Sequence, residues 1–419
     1  MGQNLTNFDA MLKDFYEGAL REQLNNEIKM FKELERSSKS WSGRKVVWPA
    51  HLNRNGGVGA RAETVALPTA GNQQTVASNI TASYNYGRVD LTGQAMAAGK
   101  HAFAEALAFE LEGVKDDLSF DLGRQTYGEG LGILGRIAAD FTQGCATITN
   151  QYSVAGSPGA RYVHTGMVIS SGSAASPESG HCATNVCKTI VATNSGTTTD
   201  TVQGCAAFSG TAGDFIFRSL SGGEGNEMKG LRALIDDPSL DSAANCYGRS
   251  AGFLTATIQA ISRTTYSKWK ANVDANSGVK RVLDSALMQK AFDTVKKNSG
   301  KDIDLIIGEY SVISAFLDSV SGDRRYATKD FDSGRGALSY NGVSLIQDLL
   351  APYNEIFLLN KAAVKQYVLK DISFADHDDR IIKNVAGYDR WEAFLCYYGN
   401  IGIEQPLASM AVRDVIPAS

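Results

Sequence analysis

The chain has 419 residues, 43% of them hydrophobic and 21% charged, with a formal net charge of −4, enough to bury a substantial core in two or three compact units. No run of roughly 18 apolar residues offers a membrane span, and the opening MGQNLTNFDAMLKDFYE puts acidic residues where a signal peptide needs positive and apolar stretches. The near-neutral balance argues against a protein built to grip nucleic acid by phosphate neutralisation, and six cysteines without a regular framework point to small buried thiols rather than disulfide scaffolding.

Residues 1–40 read as a helical arm. Phe8, Met11, Leu12, Phe15, Leu20, Leu24, Ile28, Phe31 and Leu34 recur at spacings near three and four over 6–36, and Thr6 and Asp9 have the spacing of a capping box. A helix with one apolar stripe must lie on something, its own core or a neighbouring subunit. MGQNLT fits the N-myristoylation pattern, but no polybasic patch or second anchor follows it directly, and stable anchoring takes two signals.

From 41 to 95 the chain is rich in Gly, Asn, Thr and Ala, with β-type patches at Val46, Val47 and Trp48 and again at Tyr84, Tyr86, Val89 and Leu91. This predicts a long two-stranded excursion around the tip NRNGGVGARAE, which has too few apolar residues to pack alone. Trp41 and Trp48 flank its start; in an arm without a core, such rings are natural anchors against a neighbour. Arg54, Arg61 and Glu63 in the tip, with Arg324 and Arg325 in the later run DRR, are candidates for intersubunit ion pairs, which matter only when repeated in many symmetric copies.

Residues 96–140 hold a rod-like helix over 100–127, with Phe103, Leu107, Leu111, Val114, Leu118 and Leu122 on one face and a length of roughly 40 Å at 1.5 Å per residue. Gly113 and Gly123 weaken it locally and leave room for another backbone. Residues 141–220 form an inserted β unit, with strands expected at 146–149, 161–169, 188–193 and 214–217, divided by SSGSAASPESG and TNSGTTTDT. A connecting segment follows over 221–300, ending in a helix at 282–297. An α/β unit over 301–390 has strands at 303–307, 343–347 and 356–359, a helix at 310–320, and a short helix near 361–367. The tail, 391–419, is β-type and returns to an earlier sheet. The fold class is α+β.

Three motifs invite a chemical reading. GRSAG at Gly248–Gly252, with Asp304 and His377 following, matches a serine-hydrolase elbow with Ser250 as nucleophile. It lacks the buried strand before the serine and the helix after it. GLGILG at Gly130–Gly135 fits the dinucleotide fingerprint but follows a helix rather than a strand. His181, Cys182 and Cys187, with Cys145 and Cys205, supply zinc-ligand types at a spacing that matches no zinc knuckle, so buried thiols are the simpler reading. No catalytic residue, cofactor or metal is expected.

The order of the parts resembles the major capsid proteins of tailed double-stranded-DNA bacteriophages, the Hong Kong 97-type fold that encapsulin shells also use. The likeness rests on the helical arm, the β excursion and the long helix in that order. It is also carried by the phrases YGRVDLTG, EMKGLRALIDD, AFDTVKKN, IDLIIGEYSVISAFLDSV, YNGVSLIQD and EIFLLN. It implies an extended β-hairpin loop at 41–95, a spine helix at 96–140, an axial α/β domain at 301–390 and an inserted small β domain. By that resemblance the chain is a structural subunit, not an enzyme. It self-assembles in the host cytoplasm into pentamers and hexamers of an icosahedral virion capsid. Its partners are itself, scaffold, portal and decoration proteins, and packaged DNA touched without sequence readout; no membrane is involved. Some relatives crosslink a lysine to a neighbour's asparagine; Lys39, Lys45, Asn53 and Asn55 supply the residue types without a positional match. The start at Met and a helix implies either no long scaffold segment or a separate scaffold protein. An encapsulin-like nanocompartment is the alternative within the same fold. A serine hydrolase using Ser250 and a surface adhesin are the alternatives outside it.

Overall fold

The computed structural model describes residues 28–94, 100–140, 145–149, 161–163, 167–173, 176–186, 189–191, 200–203, 210–218, 226–240, 256–320, 339–375 and 382–416. A single helical turn, α1 (Met30–Glu33), leads to a two-stranded antiparallel ribbon, β1 (Lys45–Asn53) and β2 (Gln74–Thr81). Strand β3 (Ser83–Thr92) and the 28-residue helix α2 (Lys100–Tyr127) follow. A β unit then runs through β4 (Ile133–Ile137), β5 (Cys145–Thr149), β6 (Val168–Ser173), β7 (Ser176–Val186), β8 (Thr189–Val191), β9 (Asp200–Gln203) and β10 (Phe215–Arg218). Next come the turn α3 (Leu231–Leu234), the hairpin β11 (Thr257–Ile258) and β12 (Ile261–Ser262), and β13 (Asn272–Asp274). The α/β section holds α4 (Ser285–Ser299), β14 (Leu305–Gly308), α5 (Tyr310–Val320), β15 (Ser339–Tyr340), β16 (Val343–Gln347) and β17 (Ile356–Leu359). Strands β18 (Val364–Phe374), β19 (Ile382–Asn384), β20 (Arg390–Ile403) and β21 (Met410–Val412) close the chain.

The six-stranded sheet, ordered β13-β21-β17-β14-β16-β15, is buried on both faces. Period-two alternation divides its side chains between two cores. Ile306, Leu358, Met410 and Val412 face the α4 and α5 residues Met288, Val295, Val312, Ile313 and Phe316. Leu305, Ile307, Phe357, Leu359 and Ala411 face Leu231, Leu234, Trp269 and Tyr127. Helix α4 starts where the Asp284 side chain accepts the Leu287 N–H and stops at Gly300, which takes the left-handed conformation at φ 71°, so both ends satisfy backbone groups that a helix leaves open.

A second sheet joins β3 to the C-terminal strands: β20 pairs along Ser83–Thr92 on one edge and with β18 and β19 on the other. Helix α2 lies on it through Val114, Leu118 and Leu122, which meet Leu395 and Tyr397. The fit is close at Gly87, where a Cβ would stand 2.7 Å from Val114 Cγ1. The third sheet is the seven-stranded β7-β6-β10-β4-β5-β9-β8, with a core of Leu134, Ile137, Ile148, Ile169 and Ile216.

Several expectations change. The arm helix reaches only Glu33, because Gln366 takes the following backbone into extended pairing: Gln366 N donates to Glu35 O at 2.8 Å and Ser37 N to Gln366 O at 2.8 Å. Residues 1–27 lie outside the described residues. The helix expected near 361–367 is instead a turn and the start of β18, whose register on β20 overrides local helix propensity. The inserted sheet begins at Ile133, inside the segment assigned to the long helix, and SSGSAASPESG contributes residues 170–173 to β6 and 176–180 to β7. The α/β sheet likewise draws on Asn272–Asp274 and Met410–Val412, from flanking segments. On α2, Gly113 faces open space, and Gly123 is pressed by the side chains of Leu350 and Ile28, not by a backbone.

Candidate intersubunit surface

The ribbon alternates cleanly along β1. Val46, Trp48, Ala50 and Leu52 turn inward while Val47, Pro49 and His51 turn out. Its inner face rests on the chain's own body. Trp48, 8% exposed, stacks on Tyr367 with ring centroids 5.5 Å apart and planes 3° from parallel. Lys39 lies 4.3 Å above the Trp48 ring and pairs with Glu404 at 2.7 Å. Trp41 packs beside them, its Nε1 donating to Val368 O at 3.0 Å. Within the chain, these two tryptophans bind the ribbon to its own sheet, because β18 and β20 supply the core that the arm lacks. Burial, then Glu404, holds the Tyr367 hydroxyl above its ordinary range. Burial pushes Glu404 upward, but hydrogen bonds from Lys39 and Tyr367 outweigh it and keep the carboxyl below the usual range.

Beyond Asn53 the chain leaves this support. Residues 54–73 have no strand pairing, and Arg54, Arg61 and Glu63 are all exposed. So are Val58 at 85% and Leu67 at 86%, apolar side chains that charge-based reading of the tip passes over. The loop is closed at its neck. Asn55 Oδ1 accepts the Gly57 N–H at 2.7 Å, and a Cβ on Gly57 would stand 2.8 Å from Gly71 N, so the two limbs cross where only glycine fits. Asn53 Nδ2 donates to Gln74 Oε1 at 2.6 Å. Arg324 and Arg325 lie outside the described residues.

Two clefts flank this region. One, of about 1050 Å³, lies along β1 against Lys268, Trp269, Lys297 and Pro406. The other, of about 450 Å³, lies between β3 and α2 and is lined by Tyr84, Tyr86, Asp121, Arg218 and Glu227. Arg124 bridges two of the carboxylates lining this cleft, Asp121 at 3.0 Å and Glu227 at 2.5 Å. Burial raises both carboxyls; Arg124 and Arg218 reverse this for Asp121, which ends lowered, whereas Glu227 stays raised.

A buried charge cluster lies deeper. Arg232 and Arg413 share Glu355 Oε1 at 2.8 and 3.0 Å, Arg413 reaches Asp236 at 3.1 Å, and Arg263 donates to Ala233 O at 2.8 Å. Burial pushes Arg263 down to about 10, leaving it charged at neutral pH. The cluster ties α3, the segment after β12, the approach to β17 and the exit of β21 into one junction. It lines neither cleft and offers no face to a substrate. Sequence reading missed it because a buried arginine is rare and carries no local signature.

Among the described residues the chemical motifs gain no site. Ser250 and His377 lie outside the described residues, and Asp304 accepts from Asn360 Nδ2 at 3.0 Å. Gly130 and Gly132, at φ 83° and 74°, turn α2 into β4, a helix-to-strand order opposite to the dinucleotide motif. His181 and Cys182 sit on β7 and Cys145 on β5, four strand positions apart in the sheet, or roughly 19 Å at the usual strand spacing. Cys187 and Cys205 lie outside the described residues. Among the described residues no group of His, Cys, Asp and Glu has a metal-holding arrangement.

The sequence matches no protein-family model and no curated protein. Solved structures do match. A chain of the cyanophage A-1(L) capsid aligns over 95% of this chain and 95% of its own length, with a TM-score of 0.56 at 13% identity. A chain from the capsid of the native GTA particle aligns over 96% of this chain and 95% of its own, with a TM-score of 0.51 at 7% identity. A chain from the empty GTA particle's capsid gives 96% of both chains and 0.51 at 6% identity. Over nearly its whole length, this chain therefore has the fold of these capsid chains.

Proposed function

We propose that the chain is the major capsid protein of a tailed double-stranded-DNA phage, a subunit that assembles into pentamers and hexamers and closes an icosahedral head around the genome. The observation that carries this reading is the shared fold with the cyanophage capsid chain along 95% of both. In the Hong Kong 97-type plan, the ribbon and its 54–73 loop are the extended loop, α2 is the spine, the six-stranded sheet with α4 and α5 is the axial domain, and the seven-stranded sheet is the insertion.

The tip loop is the part that reaches a neighbour. Arg54, Arg61 and Glu63 supply charges and Val58 and Leu67 supply apolar area, and small interface energies repeated around a closed shell add to a stable container. Arg324 and Arg325 remain candidates for the same kind of contact. The role is structural rather than enzymatic and uses no cofactor. The subunit assembles in the host cytoplasm and resides in the virion capsid. Scaffold, portal and decoration proteins are its further partners, and packaged DNA meets its inner surface without sequence readout.

Sedimentation of the expressed protein followed by nuclease treatment tests the reading against a nanocompartment. Large particles that take up or protect DNA support a phage head. Particles of uniform size holding a protein cargo and excluding nucleic acid would favour the encapsulin-like alternative, and a purely monomeric species would remove both.

A further inference from the structure

The ribbon departs from the body at one point. Strand β3 pairs with β20 as far as Ser83 opposite Gly399. There the chain turns away, through Ala82, into β2, and the edge of β20 from Asn400 to Ile403 is left without a strand on that side among the described residues. An open strand edge has backbone donors and acceptors that need partners when buried.

Two side-chain carboxamides provide them. Asn400 Nδ2 donates to Thr81 O at 2.9 Å, while its Oδ1 accepts Lys229 N at 3.0 Å and Ile401 N at 2.9 Å. Gln259 does the same one step on. With its amide oriented to satisfy both contacts, its nitrogen donates to Ile403 O at 2.8 Å and its oxygen accepts Ile403 N at 2.7 Å, the exchange a strand residue would make. The Gln259 backbone also faces the ribbon, accepting Asn79 N at 2.9 Å. One residue therefore holds β2 and β20 together.

Gln259 occupies a costly position to do so. It and Ala260 form the two-residue turn between β11 and β12, at φ 53° and 64°, a conformation that favours Gly, Asn or Asp. The turn is held by Ile258 and Ile261, both fully buried. Gly402 completes the joint: a Cβ there would overlap Ile80 Cδ1 and stand 2.8 Å from Tyr367 Cε2 and 2.9 Å from the end of the Gln259 carboxamide.

We propose that Asn400 and Gln259 are positioning residues whose carboxamides fasten the point where β2 leaves the β20 edge, fixing the angle at which the ribbon presents its tip loop to a neighbouring subunit. The consequence for assembly rests on the shell reading above; the fastening itself does not. Satisfied buried polar groups rigidify a joint because each alternative geometry leaves one unpaired.

The test uses Gln259→Asn, which suits the positive φ but is one methylene too short for Ile403. Hydrogen exchange on the purified full-length subunit should show amides of 76–82 exchanging at least about tenfold faster, the factor expected when one or two buried hydrogen bonds are lost, with β14 unchanged. Its particles should vary in diameter or remain open where wild type gives one size. Unchanged exchange at 76–82 would overturn the fastening, and faster exchange with uniform particles would overturn the positioning role. If Gln259→Asn does not fold, Asn400→Ser reads the same joint from the Thr81 side by the same criteria. Wild-type protein that forms no particles would count against the shell reading alone, because the exchange comparison needs only the subunit.

Discussion

Trp48 and Tyr367 stack where the ribbon meets the body, and the pair is flanked by Lys39, Glu404 and Trp41. Truncating Trp48 to Ala removes a buried aromatic and should cost about 3–5 kcal/mol of unfolding free energy, measured by denaturant titration. A loss under about 1 kcal/mol, the scale of an ordinary surface change, would mean that the ring is not seated as described. Glu404 gives the same site a pH response. Its folded pKa is depressed, so its contribution is fully present above the ordinary glutamate pKa and is lost as pH falls through the lower folded value. Asp274, lowered by Lys290 and Arg281 against the upward push of burial, acts in the same direction. Thermal stability should therefore decline as pH drops from about 5 to about 3, and Glu404→Gln should make that decline shallower. An identical slope in the variant would show that Glu404 does not contribute. At this scale sequence reading singled out the tryptophans but not the partners they have within the chain. A ring pattern shows that an aromatic needs burial, whereas the chain that buries it, here residues more than 300 positions away, is fixed only by long-range pairing.

Among elements, legibility followed the range of the interactions that define them. Helix α5 and strands β16 and β17 fall at the bounds that periodicity predicts, since each carries its signal within its own residues. The turn at 361–363 and the start of β18 do not. KAAVKQY is made of good helix formers, yet Val364 and Tyr367 are buried in register with Ile403 and Asn400. The arm helix is cut short for the same reason, by pairing with Gln366. Of the two strands expected in the excursion, the first is β1, but the second, around Tyr84–Leu91, is β3 and pairs with β20, while β1 takes β2 (Gln74–Thr81) as its partner. The support beneath the ribbon from the hairpin β11–β12 and Trp269 was not legible either, because it comes from a distant segment. Only the 54–73 loop remains without support, and it gives the element-scale prediction. Replacing residues 58–68, outside the Asn55, Gly57 and Gly71 neck, with a short Gly-Ser linker should leave the melting temperature within about 2 °C of wild type, since a surface loop changes stability little, and should abolish closed particles. Normal particles from that protein would remove the loop from the contact between subunits.

For the molecule as a whole, the fold is shared with capsid chains over about 96% of its length at identities as low as 6%. Fold survives such divergence because it rests on which positions are buried, and many sequences satisfy the same burial pattern. Function is carried by exposed surfaces, and on the capsid reading proposed above the relevant ones are the tip loop and the angle of the ribbon. The start of the excursion at β1 and the long helix after it could be read from composition and periodicity. The buried charge cluster and the carboxamide joint could not, since each assembles residues from distant segments. The central claim is that this subunit closes into a shell without any other chemistry, and electron microscopy of the purified, expressed protein tests it most directly. The account predicts closed polyhedral particles of one or a few discrete diameters. A field of monodisperse single subunits that stays unassembled under every condition, scaffold protein included, would contradict it.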